Sequence, residues 1–179
     1  MKKFILVILV FVVFTTTINA QKESFSHGFG VGFQLGQYQQ DFGLGINMVS
    51  PYFAYNRIAV RLRGNIMWNE HLDNNFETIW TTYSNLSLGM VGVAGEIGNF
   101  LRLYGEGGTI LIFPSKDFSS NSIEIGGYGL FGFEFFMYSN TNYFIEIGGV
   151  GTGAIADKVL SKPIYSNGLL LNVGFRFQF

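Results

Sequence analysis

The sequence contains no cysteine, which excludes a disulfide framework, a thiolate metal site and a lipid anchor attached through a thioether. Charge is also scarce. Asp, Glu, Lys and Arg make up 13% of the residues, against about 25% in an ordinary globular domain, too few to coat a soluble exterior of this size. Long apolar runs are missing as well. Beyond the eleven residues Phe4 to Phe14, a Gly, Asn, Arg or Glu interrupts every few positions, and a helix needs about 20 apolar residues to span a bilayer. A chain with neither a soluble surface nor a spanning helix has one membrane architecture left to it, the closed β-barrel.

The amino-terminal run has its own explanation. Lys2 and Lys3 precede Phe4 to Phe14, a polar stretch follows from Thr15 to Asn19, and the small residue Ala20 closes the pattern. This three-part order predicts a secretory signal peptide, residues 1–20, cleaved after Ala20, leaving residues 21–179 as a single domain. Removing Lys2 and Lys3 from 11 basic residues leaves 9 against 12 acidic ones, a mature net charge of about −3 with His neutral. No nucleic-acid partner is expected of such a chain.

What the sequence has in abundance is aromatic residues and glycine: 20 Phe, 9 Tyr and 24 Gly. They fall into eight segments in which every second residue is apolar, the period of a strand with two unlike faces. The segments are Gly28 to Gly36, Phe42 to about Tyr55, Ile58 to Asn69, about Thr82 to Ala94, Phe100 to Phe113, Ser122 to Phe136, Tyr143 to Gly153 and Gly168 to Phe179. Val91 and Val93 break the alternation of the fourth. Pro51 interrupts the second and must sit at a bulge or strand end, because it cannot donate to a ladder. From a periplasmic amino terminus, the links near Asn56, at Gly95 to Asn99 and at Met137 to Asn142 fall inside and are short. Those at Gln37 to Asp41, Glu70 to Ile79, Pro114 to Asn121 and Ile155 to Tyr165 fall outside and are mostly longer. That asymmetry, with an even strand number, is the pattern of an outer-membrane barrel.

Periodicity alone leaves open which face points inward, since a lipocalin-like soluble barrel would bury the apolar side. The polar face here is rich in glycine and carries about eight charges, too sparse a coat for water, so the apolar face is assigned to lipid. The last strand sets Leu169, Leu171, Val173, Phe175, Phe177 and Phe179 against Leu170, Asn172, Gly174, Arg176 and Gln178. With Ser50-Pro51-Tyr52-Phe53 before the first inner turn and the terminal Val173-Gly174-Phe175-Arg176-Phe177-Gln178-Phe179, the chain resembles the small eight-stranded outer-membrane barrels of the OmpX and OmpA transmembrane-domain type. The resemblance implies an all-β, antiparallel up-and-down transmembrane barrel of eight strands, monomeric and integral to the bacterial outer membrane. It implies outer-membrane lipid and lipopolysaccharide as surroundings, and insertion machinery that reads Phe175, Phe177 and Phe179.

Function is less legible, because one barrel architecture hosts many roles. The chemically distinctive residues are the charges on the polar face: Arg61, Arg63, Arg102 and Arg176 against Glu106, Glu124, Glu134 and Glu146. Unpaired charge in a confined interior is costly, so these are expected to pair as a salt-bridge plug. Eight strands leave an interior about filled by side chains, which favours a structural or surface-interaction protein with an occluded lumen. The alternative is a gated pore for ions or small solutes in which the pairs exchange. A lipid-modifying enzyme is the remote third reading. Acyl transfer wants His beside Ser and a carboxylate near the outer rim, and the two histidines, His27 and His71, stand in no such motif. Gly127, Gly129 and Gly132 spell GxGxxG, but a strand continues through them and no helix follows, so no nucleotide cofactor is expected. Asp73, Asp117 and Asp157 lack the spacing of a calcium loop, and no metal is expected. Tyr52, Tyr55, Trp68, Trp80, Tyr138 and Tyr143 are assigned to interfacial girdles. The segment Glu70 to Ile79, with Leu72, Phe76 and Ile79 among acidic residues, is the outer loop best suited to a surface partner.

Overall fold

The computed structural model describes residues 27–73, 76–138, 140–160 and 162–179; the expected signal peptide lies outside them. Eight antiparallel strands, β1 (Gly30–Tyr38), β2 (Asp41–Val49), β3 (Ile58–Leu72), β4 (Thr78–Ile97), β5 (Leu101–Phe113), β6 (Glu124–Tyr138), β7 (Thr141–Gly151) and β8 (Gly168–Gln178), follow one another around a closed barrel. Closure is made by β1 and β8, which pair over nine residues from Gly30↔Gln178 to Tyr38↔Leu170. No sheet edge is left along the barrel wall.

The pleat sends the two faces of each strand to opposite environments, and the structure decides which is which. Leu44, Ile46, Leu62, Ile66, Leu88 and Ile147 point outward and are exposed, whereas Arg61, Arg102, Glu134, Glu146 and Arg176 point inward and have no exposed surface. A barrel with an apolar exterior and a charged interior is the reverse of a lipocalin-like one.

Three segments differ from the alternation. β2 stops at Val49 and not near Tyr55, because Pro51 cannot extend the ladder and Ala54, Tyr55 and Asn56 take positive φ values of 48°, 60° and 61° in the turn that follows. Val91 is indeed inward and fully buried, and the ladder slips by one residue between Val93 and Gly95. The second outer connection is mostly strand: Asn69↔Thr81, Glu70↔Trp80, His71↔Ile79 and Leu72↔Thr78 continue the β3–β4 ladder. They lie beyond the last partners on β2 (Phe42↔Trp68) and β5 (Ser84↔Phe113), so this hairpin rises above the barrel rim.

Candidate functional site

The end of the barrel where β1 begins and β8 ends is the terminal end, and the opposite one the loop end. Inward side chains fill the lumen between them in layers. The central layer is built across the tube. On β3, Arg61 and Arg63 are two residues apart and therefore share a face, and both reach carboxylates on β5 and β7. Arg61 Nη1 donates to Glu106 Oε2 at 2.7 Å and to Glu146 Oε1 at 2.6 Å. Arg63 donates to Glu146 Oε2 at 2.7 Å and to Glu106 Oε2 at 2.5 Å. The remaining lone pairs of the two carboxylates are taken by Tyr104 OH (2.6 Å) and Asn172 (2.9 Å) on Glu146, and by Tyr128 OH (2.6 Å) on Glu106. The same tyrosine rings lie under the guanidinium groups, Arg61 over Tyr104 at 5.0 Å and Arg63 over Tyr128 at 5.9 Å.

Glycine makes this reach possible. Tyr104, Gly132 and Glu146 stand side by side on β5, β6 and β7. A Cβ at Gly132 would lie 2.2 Å from Tyr104 Cζ, so only the absence of a side chain lets the phenol cross one strand to meet the carboxylate on the next.

A second layer sits nearer the terminal end. Glu134 accepts from Arg176 Nη1 at 2.5 Å, Asn142 at 2.8 Å and Arg102 Nη1 at 3.2 Å. Arg102 also donates to Glu96 at 3.0 Å and is held between the rings of Tyr52 and Phe136 at 4.8 and 4.9 Å. Tyr52 is thus a buried part of the plug, not a girdle residue. It is drawn inward by the turn after Pro51, where its backbone N–H binds His27 O at 2.8 Å. Burial, reinforced by the charge of Glu134, raises the Tyr52 pKa, which keeps the phenol protonated.

Toward the loop end the charges give way to an amide ladder: Asn47 to Gln34 (3.2 Å), Gln34 to Asn65 (2.7 Å) and Asn65 to Asn85 (2.7 Å). Above it, the carboxylate of Asp41 receives Asn69, Tyr83 OH and the backbone N–H of Ser166, each at 2.6 Å. The mouth is roofed by aromatics. Phe118 from the β5–β6 connection packs against Tyr165 from the β7–β8 connection at 4.7 Å and stacks on His71 and Tyr83, both at 6.2 Å. The two connections are tied together by Asp157, which accepts from the backbone N–H and the hydroxyl of Ser120. Those bonds hold the Asp157 carboxyl below its usual range, and burial pushes the Tyr165 phenol up to about 12.

Seven of the eight charges singled out in the sequence are therefore in the two ion-pair layers. Glu124 is not. It opens β6 opposite Ile112, is half-buried near the loop end and binds Asn121, because every lumen arginine lies in the terminal half of the barrel. Phe175 is partly covered, and Phe177 and Phe179 are exposed on the outer wall. The two histidines are far apart in role: His71 Nε2 is 2.8 Å from Thr81 Oγ1, and His27 is 3.9 Å from Glu96. Sequence reasoning passed over Tyr104, Tyr128, Asn142 and Asn172 as site residues, although each sits on the charged face by strand parity. It had no signal for Phe118 or Tyr165, whose places depend on loop folding.

No protein-family model matches this sequence, and no curated protein matches it. Among solved structures, the N-terminal β-barrel domain of OprF from Pseudomonas aeruginosa is similar, with a TM-score of 0.57 and 14% identity over 86% of this chain and 98% of that one. At that identity the likeness shows the fold, a closed eight-stranded barrel.

Proposed function

We propose that the chain is an integral outer-membrane barrel of the Gram-negative kind, closed along its axis and non-enzymatic, with a structural or surface-interaction role. The observation that carries this is the lumen. Arg61, Arg63, Arg102, Arg176, Glu106, Glu134 and Glu146 are buried side chains that span the tube from several strands and leave it no open axis, and the Phe118–Tyr165 roof covers the other end. In this reading the terminal end is periplasmic, and the apolar belt faces lipid and lipopolysaccharide. The insertion machinery reads Phe175, Phe177 and Phe179, and the barrel acts as a monomer. A non-enzymatic role is supported by the surroundings of His71, whose ring is engaged by Thr81 and Phe118 and not by a serine–carboxylate pair.

The surface-interaction part of the reading draws on the β3–β4 hairpin. Above the rim its ladder pairs with no further strand among the described residues, so its outer strand edges present backbone groups outside any ladder beside Trp80, 52% exposed, and Phe76, 73% exposed. A gated pore is the competing reading, favoured by the fact that Arg61 and Arg63 each serve both Glu106 and Glu146 and so have two partners to exchange between.

Planar-bilayer conductance of the refolded chain from residue 21 separates these readings, with the heat-dependent shift of the folded band on a denaturing gel as the control for barrel formation. Silence is expected in the parent and in Glu134→Gln, and leaves the outer face as the working surface. Discrete openings in the parent that change with Glu134→Gln establish the gate instead.

A further inference from the structure

The loop end holds a half-enclosed cavity of about 270 Å³ between the β1–β2 turn and the β7–β8 connection, beside the Phe118–Tyr165 roof. Tyr38, Gln39, Gln40, Asp41, Ile164 and Asn167 line it. Three of the six glutamines in the chain fall between Gln37 and Gln40, so the turn carries carboxamides where a two-residue hairpin ordinarily has Gly or Asn. Gln39 nevertheless takes the left-handed conformation, φ 52°, as does Ser166 on the β7–β8 side, φ 51°. Residues other than glycine hold that conformation where their surroundings impose it.

Two ties between the walls do this here. Gln39 N–H donates to Leu169 O at 2.8 Å, and Ser166 N–H donates to Asp41 Oδ2 at 2.6 Å. Gly168, φ 95°, leaves room for the Gln39 carboxamide, since a Cβ there would stand 1.9 Å from Gln39 Oε1. The cavity is therefore shaped before any ligand arrives. Within it, Asp41 Oδ1 accepts from Asn69 and keeps a lone pair, while Tyr83 OH and Ser166 N–H share Oδ2. Among the described residues, no hydrogen bond engages the carboxamides of Gln39, Gln40 and Asn167, all of which line the space.

We propose that this cavity binds a single neutral sugar ring, free or at the end of a glycan. A carboxamide offers both a donor and an acceptor, as a hydroxyl does, so three of them with the Asp41 lone pair match a ring of adjacent hydroxyls. Ile164, 56% exposed, and Tyr38 supply apolar surface for the C–H face of the ring. No Lys, Arg or His lines the cavity, so a phosphate or carboxylate would bring a second negative charge beside Asp41 with nothing to balance it. A lipid chain would strip water from the carboxamides and give them no partner. The volume lies below the roughly 300–1,000 Å³ of drug-sized sites, which suits one ring and not a longer segment. The site gives the surface-interaction role a ligand class, and it rests on the reading that the loop end faces outward.

The probes are the methyl pyranosides of glucose, galactose, mannose and N-acetylglucosamine, titrated into the refolded chain from residue 21 in a zwitterionic detergent, because glycoside detergents would compete. Saturable shifts of the Gln39, Gln40 and Asn167 side-chain amide resonances are expected with at least one of them, at a Kd of about 1 mM. Gln40→Ala and Asn167→Ala, both outside the strands, are each expected to weaken binding about tenfold with the folded gel band kept. Absence of a saturable shift with every glycoside up to about 100 mM overturns the proposal, and so does a Kd that neither variant changes. The parent titration needs no variant, so a misfolded variant leaves the question answered. Displacement of the bound glycoside by delipidated polysaccharide from the cell's own lipopolysaccharide would assign the sugar to the same surface, and failure to displace it would assign a sugar from outside; both keep the site. Micelles leave both barrel ends accessible, so a failed titration does not touch the orientation. An impermeant amine label that reaches Lys162 only in broken cells would overturn the orientation and leave the site in place.

Discussion

Glu146→Gln is the substitution that most directly probes whether the central layer holds the barrel together. Glutamine keeps the length and shape of the side chain and removes the charge. In the parent, the carboxylate accepts from Arg61, twice from Arg63, from Tyr104 and from Asn172, at 2.6–3.2 Å. After the change, both guanidiniums fall to Glu106 alone, and the new amide group turns donors toward donors. Neither Arg61 nor Arg63 can turn to solvent, since their side chains are 0% and 3% exposed. Summing five charge-assisted hydrogen bonds at about 1.5–3 kcal/mol each would overcount a coupled network. The measured cost of breaking one side of a buried pair, about 3–5 kcal/mol, is the better guide. The assay is urea unfolding of the refolded protein in micelles, followed by the fluorescence of Trp68 and Trp80, with Glu77→Gln on the exposed hairpin as the neutral comparison. A midpoint loss equivalent to 3 kcal/mol or more at unchanged slope is expected. A second change, Arg63→Met, made on top of it should recover part of the loss, because it removes the stranded charge. A loss below about 1 kcal/mol would refute the reasoning, since it would mean that water already reaches the layer and screens it.

Two further predictions concern sites that the charges do not reach. Gly132→Ala places a methyl where Tyr104 now lies and should cost about 1–3 kcal/mol by driving the phenol off Glu146. Gly92→Ala, on the outer face with nothing within 4 Å of its Cβ, should be neutral in the same titration, and equal costs at the two positions would contradict the packing described. At the roof, Asp157 has a folded-state pKa below its unfolded value, so its stabilisation is complete above the ordinary aspartate range and disappears as pH falls through the lower folded value. The Ser120 amide resonance should therefore titrate with a midpoint below about 3.9, and Asp157→Asn should abolish the transition; a midpoint at or above that value would show that the latch is not formed.

The strands themselves were legible because a half-lipid, half-lumen strand imposes period two on every residue it contains, and eight such stretches survive in the sequence. Their ends were less so. Pro51 marked the end of β2 only to within a few residues, and the acidic, aromatic segment from Glu70 to Ile79 looks like a loop. Its pairing depends on β3 and β4 reinforcing each other above the rim, and neither strand carries that information alone. Glu124 shows the same limit for the charges: parity placed it on the inner face, and only the height of its neighbours showed that no arginine stands beside it.

By itself, the sequence determined the architecture, the inward face and the identity of the charges that fill it, because strand periodicity and composition are local properties. Partnership was decided only by tertiary structure. Which carboxylate meets which guanidinium across the lumen, which phenol passes over Gly132, and that Phe118 and Tyr165 close the mouth all follow from the stagger of strands distant in sequence.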